Sequence, residues 1–342
     1  MKAWRLHGVS DLSKDSRPLK AVELPLPEPG PTDVLIRVSC CGVCHTELDE
    51  IEGRTVPLYY PVIPGHQVVG HIHQRGYEAS RFAVGDRVGV AWIYSACGTC
   101  EYCQRAQENL CPEFRATGRD ANGGYAEYMV VDEKYAYALP DVFSDAEAAP
   151  LLCAGAIGYR ALKLAGIRDG DTLGLTGFGA SGHLVLQTAS YLYPSSRILV
   201  FARSSEEQAF ARSLGAHWAG NTTDTPPFPI QAIIDTTPVW TPVLSALRHL
   251  KPGGRLVINA IRKEQTDQHA LLELRYHEHL WMEKEIKSVA NITREDVSAF
   301  LKLAAAIPLR PDIQLYPFEM ANQALVNLKW KNTRGASVLV ME

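Results

Sequence analysis

Four cysteines in the pattern Cys97-x2-Cys100-x2-Cys103-x7-Cys111 are spaced so that their thiolates can close a tetrahedron around one zinc ion. Two-residue gaps let neighbouring sulfurs face a common point about 2.3 Å from the metal, and four thiolates leave no position for a substrate. Such a site staples a lobe of the fold rather than reacting. Two disulfides are the competing reading, and they need an oxidising compartment. The first residues, Met1-Lys-Ala-Trp-Arg-Leu-His7, lack the apolar core of a signal peptide, so the expectation is a cytoplasmic chain with all eight cysteines reduced.

A second group with chemical potential is Gly177-Phe178-Gly179-Ala180-Ser181-Gly182. This G-x-G-x-x-G run follows an expected strand at Thr172–Thr176 and opens an expected helix at Ser181–Leu192. Its glycines permit a tight turn and close backbone approach to a pyrophosphate, which the free N–H groups of the helix start can hold. About 20 residues beyond the last glycine, NAD-binding folds place Asp or Glu on the adenosine ribose. Ala202, Arg203 and Ser204 stand there instead. They remove a repulsion toward a 2′-phosphate and offer a cation and a hydroxyl donor. The expectation is NADP(H) as the favoured cofactor, with NAD(H) left open.

Cys44, His66 and Cys153 form the third group. Two thiolates and one imidazole make a three-ligand zinc set whose fourth place stays open to water or substrate. Their separations are too long for spacing alone to assign, and a buried structural cysteine with a core histidine is the alternative.

The elements that must position these residues change character along the chain. Up to about residue 150 it reads as short strands broken by Gly and Pro, among them Val34–Ser39, Val68–Ile72 and Arg87–Val90. Ala146–Ala165 is rich in helix formers and interrupted by Gly155 and Gly158. Beyond it strands and helices alternate: strands at Arg197–Phe201, Ala232–Asp235 and Arg255–Asn259, helices at Ser205–Leu214 and Pro242–Leu250. Such alternation implies βαβ units and a parallel sheet. Glu285–Ala290 could add a strand, Thr293–Ala306 a helix and Ala336–Met341 a closing strand. At 342 residues two domains are the prior. A net charge of −4 with no basic run argues against a nucleic-acid or membrane surface.

Taken together in this order, the four-cysteine loop, Gly42-Val-Cys-His-Thr46, Gly65-His66, Leu151-Leu-Cys-Ala-Gly155 and the glycine turn resemble the zinc-dependent alcohol dehydrogenases of the medium-chain dehydrogenase/reductase superfamily. The resemblance runs from about residue 20 to the C-terminus. It implies an α/β fold: a GroES-like β-rich catalytic domain over residues 1–153, a Rossmann doubly wound parallel-sheet nucleotide domain over 154–290, and a return to the first domain over 291–342. It implies two zinc ions per chain, with Cys44, His66 and Cys153 on the catalytic one and Cys97, Cys100, Cys103 and Cys111 on the structural one. Thr46 matches the hydroxyl residue that takes up the proton of the bound alcohol. His45 and Arg334 match contacts to the cofactor pyrophosphate. Trp92 matches a wall of the substrate pocket, with ordinary core packing as its alternative. The implied reaction is hydride transfer between a small alcohol, aldehyde or ketone and the nicotinamide, in a homodimer or homotetramer.

Three departures bear on the chemistry. Gln67 stands where many relatives have Glu behind the zinc, and Glu47 replaces the more usual Asp as partner of His66. Asp49 stands where several relatives end a proton relay with His, and a carboxylate of unperturbed pKa about 4 is a weaker base at neutral pH. Two rival classes remain: a zinc-free quinone reductase, which would lack the Cys44/His66/Cys153 set, and a non-catalytic zinc scaffold, which has no use for the glycine turn. Tyr94, Trp240 and Trp281 are further pocket candidates, while His277 and His279 read as surface or packing residues.

Overall fold

The computed structural model describes residues 1–307, 309–330 and 335–341. The chain divides into two compact units, Met1–Ala156 with Asn291–Glu342, and Ile157–Ala290. The N-terminal part of the first unit carries β1 (Lys2–Leu6), β2 (Leu19–Glu23), β3 (Asp33–Val43), α1 (His45–Ile51), β4 (Val68–Arg75) and β5 (Arg87–Val90). It continues through β6 (Ile93–Ser95), α2 (Glu101–Gln104), β7 (Arg115–Ala116), β8 (Tyr128–Asp132), β9 (Ala136–Ala138), α3 (Asp145–Ala148) and the start of α4 (Ala154–Ala165). The second unit holds β10 (Thr172–Thr176), α5 (Ala180–Leu192), β11 (Arg197–Phe201), α6 (Ser205–Ser213), β12 (Trp218–Gly220) and β13 (Ile230–Asp235). It ends with α7 (Thr241–His249), β14 (Leu250–Ile258), α8 (Tyr276–His279) and β15 (Glu285–Ser288). The chain then returns to the first unit with α9 (Arg294–Ala306), β16 (Ile313–Pro317), α10 (Ala321–Lys329) and β17 (Ala336–Val340).

In the first unit a seven-stranded sheet runs in the order β16-β17-β3-β4-β5-β9, with β8 also paired to β3. Strand β3 is its hub. It pairs antiparallel with β8 near its start, with β4 along most of its length and with β17 near its end. Its β-branched and apolar sequence, Asp-Val-Leu-Ile-Arg-Val-Ser-Cys-Cys-Gly-Val, suits a strand covered on both faces, and Val34, Leu35 and Ile36 are all fully buried. Residues Ile36, Val38, Cys41, Val68, Ile72, Val88, Tyr125 and Leu339 join one apolar core around it. The core fixes the end of β3, from which the chain passes directly into α1 with Cys44 as the N-cap.

The helix-rich stretch before the second unit is interrupted, but not at the glycines where the interruption was expected. It is α3, a 3-10 turn over Ala149–Leu152, and α4, with the break at Cys153 (φ −126°, ψ −81°). Pro150 removes a backbone donor in that stretch, which favours the break there. The glycines are not the interruption. Gly155 lies inside α4 because a Cβ there would come within 2.2 Å of the Phe300 ring on α9.

The second unit is a six-stranded sheet in the order β12-β11-β10-β13-β14-β15, parallel throughout. Alternate residues of its strands feed two cores. Ile198 and Val200 join Leu175, Val185 and Leu186 in one; Leu199 and Phe201 join Ile233 and Leu247 in the other. The order reverses between β10 and β13, and ligands of open parallel sheets bind at such a reversal, beyond the carboxyl ends of the strands. No described helix is long and apolar enough to cross a membrane.

Candidate metal centres and nucleotide-binding turn

Helix α1 is short, and its start organises the first centre. Cys44 caps it in extended backbone, its Sγ accepting the Thr46 N–H at 3.4 Å, while Glu47 Oε2 accepts the Cys44 N–H at 2.8 Å. That reciprocal capping box holds Cys44 and Glu47 in fixed positions. The other oxygen, Glu47 Oε1, lies 2.6 Å from His66 Nδ1, and both side chains are fully buried. The contact turns His66 Nε2 toward the sulfurs, 3.2 Å from Cys153 Sγ. Cys153, exposed to the site by the break between the 3-10 turn and α4, sits 4.0 Å from Cys44 Sγ.

His66 is presented by a turn that only glycine allows. Gly65 has φ +98°, and a Cβ on it would come within 2.3 Å of the Tyr125 ring. The three ligand atoms of Cys44, His66 and Cys153 lie within 4.8 Å of one another. Sulfurs each about 2.3 Å from one tetrahedral zinc are about 3.8 Å apart, so the observed sulfur spacing fits that metal with a fourth direction left over. Hydrogen bonding with Cys153 holds the Cys44 thiol well below its ordinary range despite burial, while the same contact and burial push Cys153 up.

Thr46 Oγ1 is 3.4 Å from Cys44 Sγ, beside the ligand set. Asp49, on α1, is buried and accepts from Arg54 Nε at 2.6 Å, so its charge is balanced by a guanidinium. Gln67 is buried with its side chain against Gly42, where a Cβ would come within 2.6 Å. Trp92 packs its ring 6.1 Å from that of His66. His45 is exposed at the first position of α1.

The second centre is compact. Cys97, Cys100, Cys103 and Cys111 place their sulfurs within 4.8 Å of one another, with Cys97 3.9 Å from Cys103 and 3.5 Å from Cys111. Backbone N–H groups point at the sulfurs: Cys100 N–H at Cys97 Sγ, Cys97 N–H and Glu113 N–H at Cys111 Sγ. The Thr99 and Cys100 amides hold the Cys97 thiol down to about 6, whereas desolvation pushes Cys103 up to about 12. Buried Glu108 ties the lobe to the far end of the unit by accepting from the Arg294 N–H and Nε, both at 3.0 Å.

In the second unit the glycine run forms the turn between β10 and α5, with Gly179 capping the helix. Gly177 has φ +80°, and a Cβ there would come within 2.6 Å of Thr236 Oγ1. Phe178 is buried in the sheet core, leaving Ala180, Ser181 and Gly182 to open α5. Ala202 is buried just past β11, Arg203 is exposed, and Ser204 caps α6 by accepting the Glu207 N–H at 3.1 Å. Its hydroxyl proton is still free to donate. Arg334 lies outside the described residues. Of the other pocket candidates, Tyr94 packs against the first core, Trp240 precedes α7, and Trp281 stacks edge-on with His277. His279 is a packing residue, fully buried and bonded to Arg248 and Arg275.

Sequence reasoning missed a buried network at the end of β13, where Asp235 accepts from Thr176 and Thr237 and pairs with Lys263. It also passed over Glu50 and Tyr60, neither of which belongs to any motif. Nothing in their local sequence signals their place in the fold.

A β-rich unit built around β3 and a parallel sheet with a glycine turn at its order reversal define the medium-chain dehydrogenase/reductase architecture. Residues 30–141 match the "Alcohol dehydrogenase GroES-like domain" family. Over the whole chain the sequence is 41% identical to a Mycobacterium tuberculosis protein described as "Probable alcohol dehydrogenase AdhA", covering 97% of it. It is 33% identical to an alcohol dehydrogenase of Geobacillus stearothermophilus, across 96% of this chain and 97% of that protein. A cobalt- and zinc-bound thermostable alcohol dehydrogenase from Pyrobaculum aerophilum has a similar structure, with a TM-score of 0.84, 25% identity and 99% of each chain covered. The chain belongs to the zinc-dependent alcohol dehydrogenase family.

Proposed function

We propose that this protein is a zinc-dependent alcohol dehydrogenase that interconverts alcohols with aldehydes or ketones by hydride exchange with a nicotinamide cofactor. The observation that carries the reading is the convergence of Cys44, His66 and Cys153 with a fourth direction left open. Bound there, zinc supplies Lewis-acid activation of an alcohol or carbonyl oxygen. The residues around it do the remaining work. Glu47 orients His66 and fixes its tautomer. Thr46 takes the substrate proton at Oγ1 and passes it outward, and Asp49, further along α1, stands where a relay through the cofactor ribose hydroxyl would end. The Gly177–Gly182 turn and the start of α5 hold the cofactor pyrophosphate through backbone N–H groups, with His45 and Arg334 as further contacts. Cys97, Cys100, Cys103 and Cys111 hold a second zinc that stabilises their lobe. Trp92 walls the pocket on the His66 side.

For the cofactor, exposed Arg203 and the free hydroxyl proton of Ser204 support NADP(H) over NAD(H). Metal analysis should give one zinc for each cysteine group. A panel of primary and secondary alcohols, run with both cofactors, tests the rest. Absence of zinc-dependent alcohol oxidation with either cofactor would refute the proposal. A lower KM for NADP(H), lost in Ala202→Asp/Arg203→Ile by about ten- to a hundredfold, is the expected cofactor result.

A further inference from the structure

Helix α1 carries one more carboxylate than the metal group engages. Glu47 is taken up by His66 and the Cys44 N–H, and Asp49 by Arg54. Glu50 is 1% exposed, yet neither of its oxygens has a hydrogen-bond partner among the described residues. It follows Thr46 by four residues, so it lies on the same helical face one turn further on.

Two more buried polar atoms nearby lack partners among the described residues: the Tyr60 hydroxyl and Trp92 Nε1. They belong to one neighbourhood. Burial and then the charge of Glu50 push the Tyr60 hydroxyl up, while burial and then Glu47 push Glu50 well up against the opposing pull of His66 and Arg119. The Trp92 ring links those two residues, 6.1 Å from the His66 ring and 5.6 Å from the Arg119 guanidinium. Arg119 engages Asp120 through two of its nitrogens, and no hydrogen bond joins it to Glu50 among the described residues.

A carboxyl group offers an acceptor oxygen in either protonation state, an indole N–H only donates and a phenol does both. A monohydroxy alcohol has one hydroxyl, which the metal and Thr46 engage, and its hydrocarbon tail would leave all three groups unpaired. A second hydroxyl can donate to Glu50 while accepting from Tyr60 or Trp92. Sites with buried polar groups discriminate strongly against ligands that cannot pair them. We propose that Glu50 determines specificity by selecting alcohols that bear a second hydroxyl near the reacting carbon, vicinal diols and polyols, over monohydroxy alcohols of equal length. The inference rests on the dehydrogenase reading of the site.

The test compares 1,2-propanediol with 1-propanol in the zinc-loaded full chain, its Glu50→Leu variant and its Glu50→Gln variant, using the better cofactor. The expected wild-type preference for the diol in kcat/KM is about ten- to a hundredfold, carried mainly by KM. Glu50→Leu should bring the ratio close to unity, and Glu50→Gln, equal in shape, should lower it part of the way and reads the same ratio if the leucine variant fails to fold. A wild type that oxidises 1-propanol with no diol preference overturns the inference and leaves the dehydrogenase reading intact. Equal loss of both substrates in the variants also overturns it, since that marks a packing role or pairing with internal water. Failure of the zinc-loaded wild type to oxidise either alcohol overturns the inference, and the dehydrogenase reading falls with it only if the wider alcohol panel fails with both cofactors.

Discussion

Both cysteine groups of the first unit use thiol sulfur as a ligand atom, but they are assembled in opposite ways. The four-cysteine group lies on one loop, with Cys97 and Cys111 14 residues apart and three of the four sulfur side chains partly exposed. The Cys44 group draws on the end of β3, the Gly65 turn and the break before α4, with Cys44 and Cys153 109 residues apart and His66 fully buried. A local group has no geometry until its metal folds the loop, so the binding energy of the metal appears as stability. A distant group takes its geometry from a core that forms without it. Its fourth direction can then be left for chemistry.

The strongest way to break this contrast is to remove ligands from each group. Cys44→Ser or His66→Ala should lower kcat/KM by at least about a thousandfold, because Lewis-acid activation contributes several kcal/mol to the barrier. Thermal melting should change little in Cys44→Ser, and a large drop in Tm there would erase the distinction; His66→Ala also leaves buried Glu47 without its partner, so it is read by activity alone. Cys103→Ala should do the reverse. Opening a closed site costs several kcal/mol, enough to lower Tm by about 10 °C or more with loss of one zinc, by calorimetry and metal analysis. Full zinc content and an unchanged Tm would remove the structural role from the loop.

Two smaller effects sharpen the comparison. Glu47→Gln keeps the shape but weakens the hold on His66 Nδ1, so zinc affinity at the Cys44 group should fall about ten- to a hundredfold in a chelator competition. An unchanged affinity would mean that the ring is fixed by packing alone. Thr99→Val removes an exposed hydroxyl 3.7 Å from Cys97 Sγ. Its expected cost is a few tenths of a kcal/mol, a Tm change of about 1 °C or less. A larger shift would show that the loop depends on side-chain as well as amide contacts to its sulfurs.

The same difference in assembly governs how much was legible in the sequence. Strands Thr172–Thr176, Arg197–Phe201 and Arg87–Val90 are apolar runs between strong turn signals, and the structure has them at those limits. The four-cysteine loop is equally local, and spacing alone brings out its ligand set. By contrast, the break at Cys153 is invisible in the alanine- and leucine-rich stretch around it, because a 3-10 turn and a packed glycine replace the expected helix interruption. Cys44, His66 and Cys153 needed the family resemblance to be joined at all. Asp49 could be read as a lone carboxylate, but its contact with Arg54 depends on how the chain after α1 folds back. Glu50, Tyr60 and Trp92 matter only as neighbours, and neighbourhood is a tertiary property.

The long reach of β3 has a consequence for the order in which the protein can be made. Its last residues, Cys40–Val43, pair with β17, which follows the whole second unit in sequence. Glu108 likewise waits for Arg294, 186 residues later. During synthesis the second unit is contiguous and can close as soon as Ala290 has emerged, while the first still shows an unpaired strand edge. Completion of that sheet, and with it a fixed position for Cys44, therefore waits for β17.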